Sequence, residues 1–436
     1  MIRYRQESDR QLNNEKRKSR FHYAYLVLLA CVIVTGLPGA MIMNCPGVFF
    51  TPVSSYFGVP KAEFTLYFSI INITAMVYLP LCGKIMDSVN LRYFMSVAVL
   101  LAGVTYILMS SFTAIWMFYA AGVVLGIALT PIMFLGTPLL MDRWCVKNVG
   151  LFIGIGAAAS GIGGAIFNIV GASLCSLSVE SWRTGYFVFG CLILVVALPF
   201  AFFFMRSRPS DLGMLPFGVE EQLEKQASEE VVAAPVLGVS ANTATKTIAF
   251  LAIAMFSFVL SICQTVYQYF ASYCQASAIP EVVASAGAVA AACMIGQALG
   301  KVFLGSLSDR HPKLGIGVGV ACGIAGLLVM WLAPLGLVAV VIGSFLFGGL
   351  YSCNAVHAPL LLRSVFGSRC FGELNSRRIV FVTLSFAFAT EFWGVIVDMP
   401  NGYDLMFVVA IAFSLLCGAL GLFACSKIGA YEWTEK

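Results

Sequence analysis

The chain has 436 residues, of which 60% are hydrophobic and only 11% are charged, and its mean hydropathy is +0.91. A soluble domain carries about 25% charged residues, so this composition excludes an ordinary soluble protein and indicates a chain surrounded mostly by lipid. The net charge is +5, but the basic residues lie at predicted helix ends, so the charge does not predict nucleic-acid binding.

The first half of the chain predicts a short tail and six transmembrane helices. Residues 1–22 are polar and basic, which indicates a cytoplasmic N-terminal tail. Apolar runs of the roughly 20 residues that a span requires follow it. They form a predicted six-helix bundle over 23–205, with helices near 23–50, 64–86, 92–112, 115–140, 149–177 and 184–205.

The second half repeats this organisation after a hydrophilic connection. Residues 206–246 are predicted to form a cytoplasmic linker, which serves either as a solvated spacer or in regulation. A second six-helix bundle is predicted over 247–426, followed by a cytoplasmic tail at 427–436. Its helices are expected near 247–274, 282–307, 314–333, 335–361, 372–397 and 403–426.

The distribution of basic residues orients this topology. With both termini inside, the outer loops hold only Lys61 and Arg183 of the 26 lysine and arginine residues, and the other 24 lie towards the inner side. Basic residues concentrate on the cytoplasmic side of membrane proteins. We therefore expect a multi-pass protein of the plasma membrane, the inner membrane in a bacterium, with both termini in the cytoplasm.

A charged turn occurs twice, 222 residues apart, after helix 2 and after helix 8. Such internal similarity is typical of transporters built from repeated bundles. The copies differ four residues before the shared glycine, where the first has Leu79 and the second has Lys301. The fold tolerates leucine there, so the lysine indicates a function. The alternative is that the side chain extends from near the inner helix end to water and has no role in binding. The residues of the turns are Gly83, Asp87 and Arg92 in the first copy and Gly305, Asp309 and Arg310 in the second.

A few polar residues lie within the predicted spans, where side chains of this kind usually face the bundle interior. Gln264 and Gln268 on helix 7 either contact a substrate or join helices, and Asn44 is a candidate cavity residue between the Pro-Gly breaks of helix 1. Glu391 on helix 11 either carries a proton or lies at the outer interface. His357 is expected to be structural.

Twelve helices in two repeats, with the charged turns after helices 2 and 8, resemble the major facilitator superfamily. The resemblance covers essentially the whole chain. It implies an all-α polytopic membrane protein whose twelve transmembrane helices form two pseudo-symmetric six-helix bundles, the major facilitator fold.

A finer resemblance is to the branch of oxalate–formate antiporters and monocarboxylate transporters. It rests on Lys301, the stretch Arg143 to Leu151, the turn Ser181-Trp182-Arg183 and the segment Arg208 to Gly213. In that branch a basic residue on helix 8 binds the substrate carboxylate, and its place is that of Lys301. The oxalate carrier also has a basic residue on helix 11, which corresponds to Arg378 here, with Arg377 as a rival.

The resemblance also bears on coupling. Monocarboxylate transporters place an aspartate one turn before the basic residue of helix 8, where this chain has Gln297. Gln297 shares a helix face with Lys301 and offers a second hydrogen bond to an anion. We therefore expect anion exchange, or proton symport through another group such as Glu391.

The sequence thus predicts a secondary transporter of small organic anions, mono- or dicarboxylates, moving them by alternating access. The alternatives are an exporter of drugs or other small solutes within the same superfamily, and a membrane sensor built on a transporter scaffold. No arrangement of nucleophile, base and orienting group indicates an enzyme, so we expect no catalytic residue, cofactor or metal. The expected partners are the anion, protons or a counter-anion, and the lipid bilayer, with the chain acting as a monomer.

Overall fold

The computed structural model describes residues 22–146, 149–176, 178–219, 238–331, 336–367 and 369–431, without the side chains of Asp87, Gly150, Asp309 and Arg310. The predicted N-terminal tail and the middle of the predicted linker therefore lie outside the described residues, apart from His22. The described chain is helical, and its extended contacts are two isolated bridges, Cys145 with Phe217 and Gly238 with Gly367.

Within the described residues, twelve helices are long and apolar enough to cross a membrane, which confirms the predicted all-α polytopic fold. A helix pairs most of its backbone groups internally, as a hydrocarbon environment demands. We label them α1 to α12: Ala24–Phe57, Lys61–Met86, Leu91–Met109, Ile115–Trp144, Leu151–Cys175, Ser181–Phe204, Ile248–Gln275, Ala286–Ser308, Pro312–Trp331, Leu337–Phe366, Phe371–Val397 and Gly402–Cys425.

Helix α1 is longer and more irregular than the sequence predicted. Its Gly-Leu-Pro-Gly stretch forms a π-helical turn over Thr35–Gly39, and a second break separates Met43 from Gly47. The predicted end near residue 50 is wrong, because the helix continues to Phe57. The hydroxyl groups beyond residue 50 are satisfied within the protein: Thr51 donates to Ser272 and Ser54 donates to a backbone carbonyl.

The two halves of the chain, α1–α6 and α7–α12, meet along three helix pairs: α1 with α7, α2 with α11, and α5 with α8. Because consecutive spans alternate in direction, residues 206–219, residues 238–247 and both described chain ends lie at one face of the bundle. We call it the linker face, and we call the opposite face, with the α1–α2 and α11–α12 turns, the far face.

Hydrogen bonds between the halves gather towards the far face. Thr51 Oγ1 of α1 donates to Ser272 Oγ of α7 at 2.9 Å. The Ala62 amide donates to Asp398 Oδ2 at 3.0 Å, and Tyr269 Oη donates to Thr65 Oγ1 at 3.3 Å. These contacts close the far face.

Towards the linker face, α5 and α8 diverge. A Cβ at Gly164 would lie 3.0 Å from Asn44 Cβ and 3.1 Å from Met294 Cγ, so the helices are in close contact there. Ten residues nearer the linker face, a Cβ at Gly154 would meet no described atom within 4 Å. We call the space between α5 and α8 on the linker-face side of this contact, beside Gly154, the cleft.

Candidate functional site

Arg378 lies on α11, inside the second half of the chain, with 6% of its surface exposed. Its Nη1 atom donates to Ser257 Oγ at 3.0 Å and to Asn354 Oδ1 at 3.2 Å, and its Nε atom donates to Asn375 Oδ1 at 3.1 Å. All three acceptors are neutral, and no carboxylate among the described residues pairs with this guanidinium. A buried charge is ordinarily paired, so Arg378 presents an uncompensated positive charge.

The acceptor Asn354 connects Arg378 to α7. Its Nδ2 atom donates to Ser261 Oγ at 2.8 Å and to Gln264 Oε1 at 3.2 Å, and Gln264 in turn donates to the Tyr351 carbonyl oxygen. Every polar atom of these two amides therefore has a partner within the second half. The network holds the guanidinium in one orientation and leaves its Nη2 atom without a described partner.

Arg377, the rival on the same helix, points to a different environment. It pairs with Glu373 Oε1 at 2.6 Å, and 39% of its side chain is exposed. Its Nη1 atom donates to Thr245 Oγ1 at 3.1 Å, just before α7 begins. Arg377 is therefore a compensated charge at the linker face, and Arg378 is the buried one.

Lys301 lies on the face of α8 that borders the cleft. One turn earlier on this face, Gln297 and Ala298 pack against Gly161 of α5, whose Cβ would lie 3.0 Å from Gln297 Oε1. Open space lies beside Gly154 of α5, two turns from Gly161 towards the linker face. The Lys301 ammonium is partly buried and has no polar partner among the described residues.

Gln297 is 4% exposed, and its Oε1 atom has no hydrogen-bond partner among the described residues. The Tyr267 hydroxyl is likewise buried and unpaired. The Tyr267 ring lies edge-on to Tyr351 with their centroids 5.6 Å apart. Of these two residues with unpaired polar atoms, the sequence predicted Gln297 as a site residue but not Tyr267.

Gln268 and Asn44 join helices. Gln268 Nε2 donates to the Met43 carbonyl oxygen at 2.8 Å, and its Oε1 accepts from the Gly47 amide at 3.0 Å, which bridges the break in α1. Asn44 Nδ2 donates to the Ser160 carbonyl oxygen at 2.8 Å and thereby ties α1 to α5. Of the two roles that the sequence allowed for Gln268, joining helices is the one visible here, and substrate contact by either amide stays a prediction.

The remaining predicted residues are scattered. Glu391 is partly buried on the far-face half of α11 and has no described partner.

The motif glycines Gly83 and Gly305 lie beside loosely filled space, where an added Cβ would have its nearest neighbours at 4.0 and 3.9 Å. Arg92 donates to the Phe202 carbonyl oxygen within the first half. The side chains of the other three motif residues, Asp87, Asp309 and Arg310, lie outside the description.

His357 is fully buried and shares a 2.8 Å hydrogen bond with Ser308, which ties α10 to α8 as a structural histidine would. No cluster of three or more histidine, cysteine, aspartate or glutamate side chains able to hold a metal occurs in the part of the chain that the structure describes.

Sequence reasoning missed the residues that orient Arg378. Asn354 and Ser257 lie on α10 and α7, far from α11 in the chain, and Asn375 lies one turn before Arg378. A polar Asn in the middle of the apolar run of α10 was the available signal for Asn354. The sequence could not predict that Asn354 contacts Arg378, because this contact depends on how α7, α10 and α11 pack.

The architecture agrees with those of solved transporters. A bacterial homologue of the human lysosomal transporter Spinster, in an inward-facing and unoccupied conformation, superposes with a TM-score of 0.70 at 15% identity, covering 95% of this chain and all of that one. The nucleoside transporter NupG superposes with a TM-score of 0.68 at 13% identity, covering 94% of this chain and all of that one. At such identities the likeness concerns the fold alone.

Two sequence comparisons extend this result. Membrane sensor protein UhpC of Escherichia coli (strain K12) is 28% identical over 162 residues, which is 36% of this chain and 35% of that protein. The chain therefore matches only about a third of the length of this curated relative. A family profile described as Major Facilitator Superfamily matches residues 31–280. Since that match covers more than half of the chain, this multi-pass membrane protein belongs to the Major Facilitator Superfamily.

Proposed function

We propose that this protein is a secondary active transporter of small organic anions, mono- or dicarboxylates, of the kind moved by the oxalate–formate and monocarboxylate branch. The observation that carries the proposal is the buried guanidinium of Arg378, whose three described partners are all neutral. A binding site for an anion supplies the missing negative charge.

Electrostatics support this reading. A charge inside a membrane protein loses much of its hydration, and the loss is offset by an opposite charge or by well-placed dipoles. For Arg378, three neutral acceptors offset part of the lost hydration. The ammonium of Lys301, which is partly buried, has no such acceptor among the described residues. A carboxylate entering from the linker face would gain from both cations, because their attraction is strong where the dielectric constant is low.

The proposed roles follow from position. Lys301 binds the carboxylate at the wall of the cleft, and Gln297, one turn deeper, donates or accepts a hydrogen bond. Arg378 binds the anion with its free Nη2 atom while Asn354 and Ser257 hold the other side of the fork. Gln264 holds Asn354 in place. Gln268 and Asn44 either bind the anion at the end of the cleft nearest the far face or close that end of the cleft.

Alternating access requires the far-face contacts to break and the linker face to close. The glycines and charged residues of the two repeated turns are proposed to govern the linker-face closure. Glu391, unpaired near the α2–α11 seam, is the candidate group for proton coupling; without it the protein would be an exchanger. The basic residues gathered at the linker face favour its placement on the cytoplasmic side of the plasma membrane.

A sensor function is the second candidate, because the UhpC match is to a membrane sensor protein. A sensor would bind its ligand with comparable selectivity but would transport it slowly or not at all. An exporter of drugs or other solutes would instead accept cationic or neutral compounds.

Counterflow in proteoliposomes distinguishes the three candidate functions, which are anion transporter, sensor and exporter of other solutes. Vesicles loaded with one unlabelled anion should take up labelled anion transiently, and monocarboxylates and dicarboxylates should be screened beside neutral and cationic solutes. The proposal expects counterflow with a carboxylate and none with cations. Ligand-induced thermal stabilisation without counterflow would support the sensor, and counterflow confined to cationic or neutral solutes would refute the anion assignment.

A further inference from the structure

Helices α3 and α6 lie together in the first half and pack against each other and against the other helices of that half. Near their middle they are in close contact: a Cβ at Gly190 of α6 would lie 2.8 Å from the Gly103 carbonyl oxygen of α3. Towards the linker face they separate, so the pair forms a wedge that opens sideways.

An apolar groove occupies the open end of this wedge. On α3 it is lined by Tyr93, Val97 and Leu100, which follow one face of the helix, and on α6 by Leu198, Phe202 and Phe203. Tyr93, Val97 and Phe203 are each more than half exposed, so the groove faces the surroundings of the bundle. From Tyr93 to Leu100 it runs roughly 10 Å along the helix axis, at 1.5 Å per residue.

Arg92 stands at the linker-face end of this groove. Its Nε atom donates to the Phe202 carbonyl oxygen at 2.5 Å, and its guanidinium carbon lies 4.2 Å from the centroid of the Phe202 ring. Neither Nη atom has a described partner. A hydrogen-bond donor fork therefore lies directly over a wall of the groove and is free to bind an anion.

The start of α3 is held in place around this arginine. The Leu91 amide donates to Ser207 Oγ at 2.8 Å, and Ser207 Oγ donates to Asn90 Oδ1 at 2.9 Å. The site is thus cationic at the membrane boundary and apolar below it, with the long axis of its apolar part parallel to the helices.

We propose that this groove, which we call the α3–α6 site, binds an anionic phospholipid of the surrounding bilayer. The phosphate accepts hydrogen bonds from the free Nη atoms of Arg92, and one acyl chain lies along Val97 and Leu100. The bilayer supplies the occupant, and the charge complementarity selects its headgroup. A zwitterionic lipid carries a cation of its own beside the phosphate, which Arg92 repels, so it binds less tightly.

Native mass spectrometry of the delipidated, purified full-length protein tests the site. It should be titrated with phosphatidylglycerol and with phosphatidylcholine of the same acyl chains. The wild-type protein should bind phosphatidylglycerol about tenfold more tightly, the scale of one charge-assisted hydrogen bond. Arg92→Gln should abolish this preference. Lys427→Gln is the matched control, because Lys427 is also a linker-face cation over an aromatic ring, that of Phe423 at 5.1 Å, but in the other half of the chain.

A second variant keeps the test decisive if Arg92→Gln folds poorly. Val97→Trp fills the groove and leaves Arg92 in place, so it should weaken phosphatidylglycerol binding by a comparable factor. Inorganic phosphate at millimolar concentration should not displace the lipid, because it gains nothing from the groove. Equal binding of both lipids by the wild-type protein, unchanged binding by Val97→Trp, or displacement by phosphate alone would each overturn the proposal.

Discussion

Replacing Arg378 with glutamine tests the proposed anion site at its most buried charge. Glutamine keeps much of the length of the side chain and one amide donor for Asn354 or Ser257, but it removes the positive charge. If the guanidinium binds a carboxylate, the loss of one charge-assisted hydrogen bond removes about 1.5–3 kcal/mol. The apparent affinity for the anion should therefore fall by roughly 10- to 150-fold, since each 1.4 kcal/mol is a factor of about ten.

Stability should change much less than affinity. The substitution leaves some of the three neutral acceptors around Arg378 unsatisfied, and each costs about 1–3 kcal/mol. It also removes a buried charge that had no described counter-ion, which relieves a penalty of similar size. Membrane insertion and thermal stability should therefore stay near those of the wild-type protein, so that a loss of transport reports on binding.

The assay is counterflow in proteoliposomes at matched protein content, with the apparent KM measured from the substrate dependence. Arg377→Gln is the control, because Arg377 adjoins the site in sequence but pairs with Glu373 at the linker face. It should transport with nearly wild-type affinity. Arg378→Lys should recover part of the activity, since it keeps the charge but loses the planar fork. Wild-type affinity in Arg378→Gln, or an equal loss in Arg377→Gln, would refute the reasoning.

Three further predictions concern Lys301, coupling and topology. Lys301→Leu should insert normally, because the first repeat has leucine at the matching place, while anion affinity falls on the order of 100-fold; near-normal transport at equal expression would remove Lys301 from the site. Uptake into liposomes without internal anion should be slow and should rise when anion is loaded inside, unless protons are coupled through Glu391. In that case Glu391→Gln should abolish acceleration by an inward proton gradient, and a gradient effect that survives this change would contradict both forms of coupling. In a variant without native cysteines, a cysteine at Lys61 should react with an impermeant thiol reagent in intact cells and one at Ser210 should not; labelling at Ser210 would reverse the proposed orientation.

Much of the fold could be predicted because few backbone structures can span a bilayer. Each span must satisfy its own backbone, so composition and helix length define the spans without knowledge of their packing. The predictions failed at helix ends such as that of α1, which continues past Thr51 and Pro52 to Phe57. Polar residues signal the end of a span in sequence, whereas in the structure Thr51 is satisfied by Ser272 of the other half.

The sequence identified individual candidate residues of the site but not how they are arranged. The comparison of Lys301 with Leu79 marked one cation, and the family resemblance marked a second position on helix 11. Choosing between Arg377 and Arg378 required the packing of α11 against α7 and α10, because neighbouring helical residues point about 100° apart and only the neighbours decide which is buried. The same holds for Gln268, whose two partners belong to the other half of the chain.

By itself, the sequence determined a membrane chain of two repeated halves with its basic residues biased to one side, since hydrophobicity, period and charge are local properties. The tertiary structure alone decided which cations lack partners. It pairs Arg377 with Glu373, surrounds Arg378 with neutral oxygens, and leaves open space beside Gly154 of α5. The physical reason is that compensation of a charge depends on the groups within a few ångströms of it. In this protein such groups include Ser257, which lies 121 residues from Arg378 in the chain.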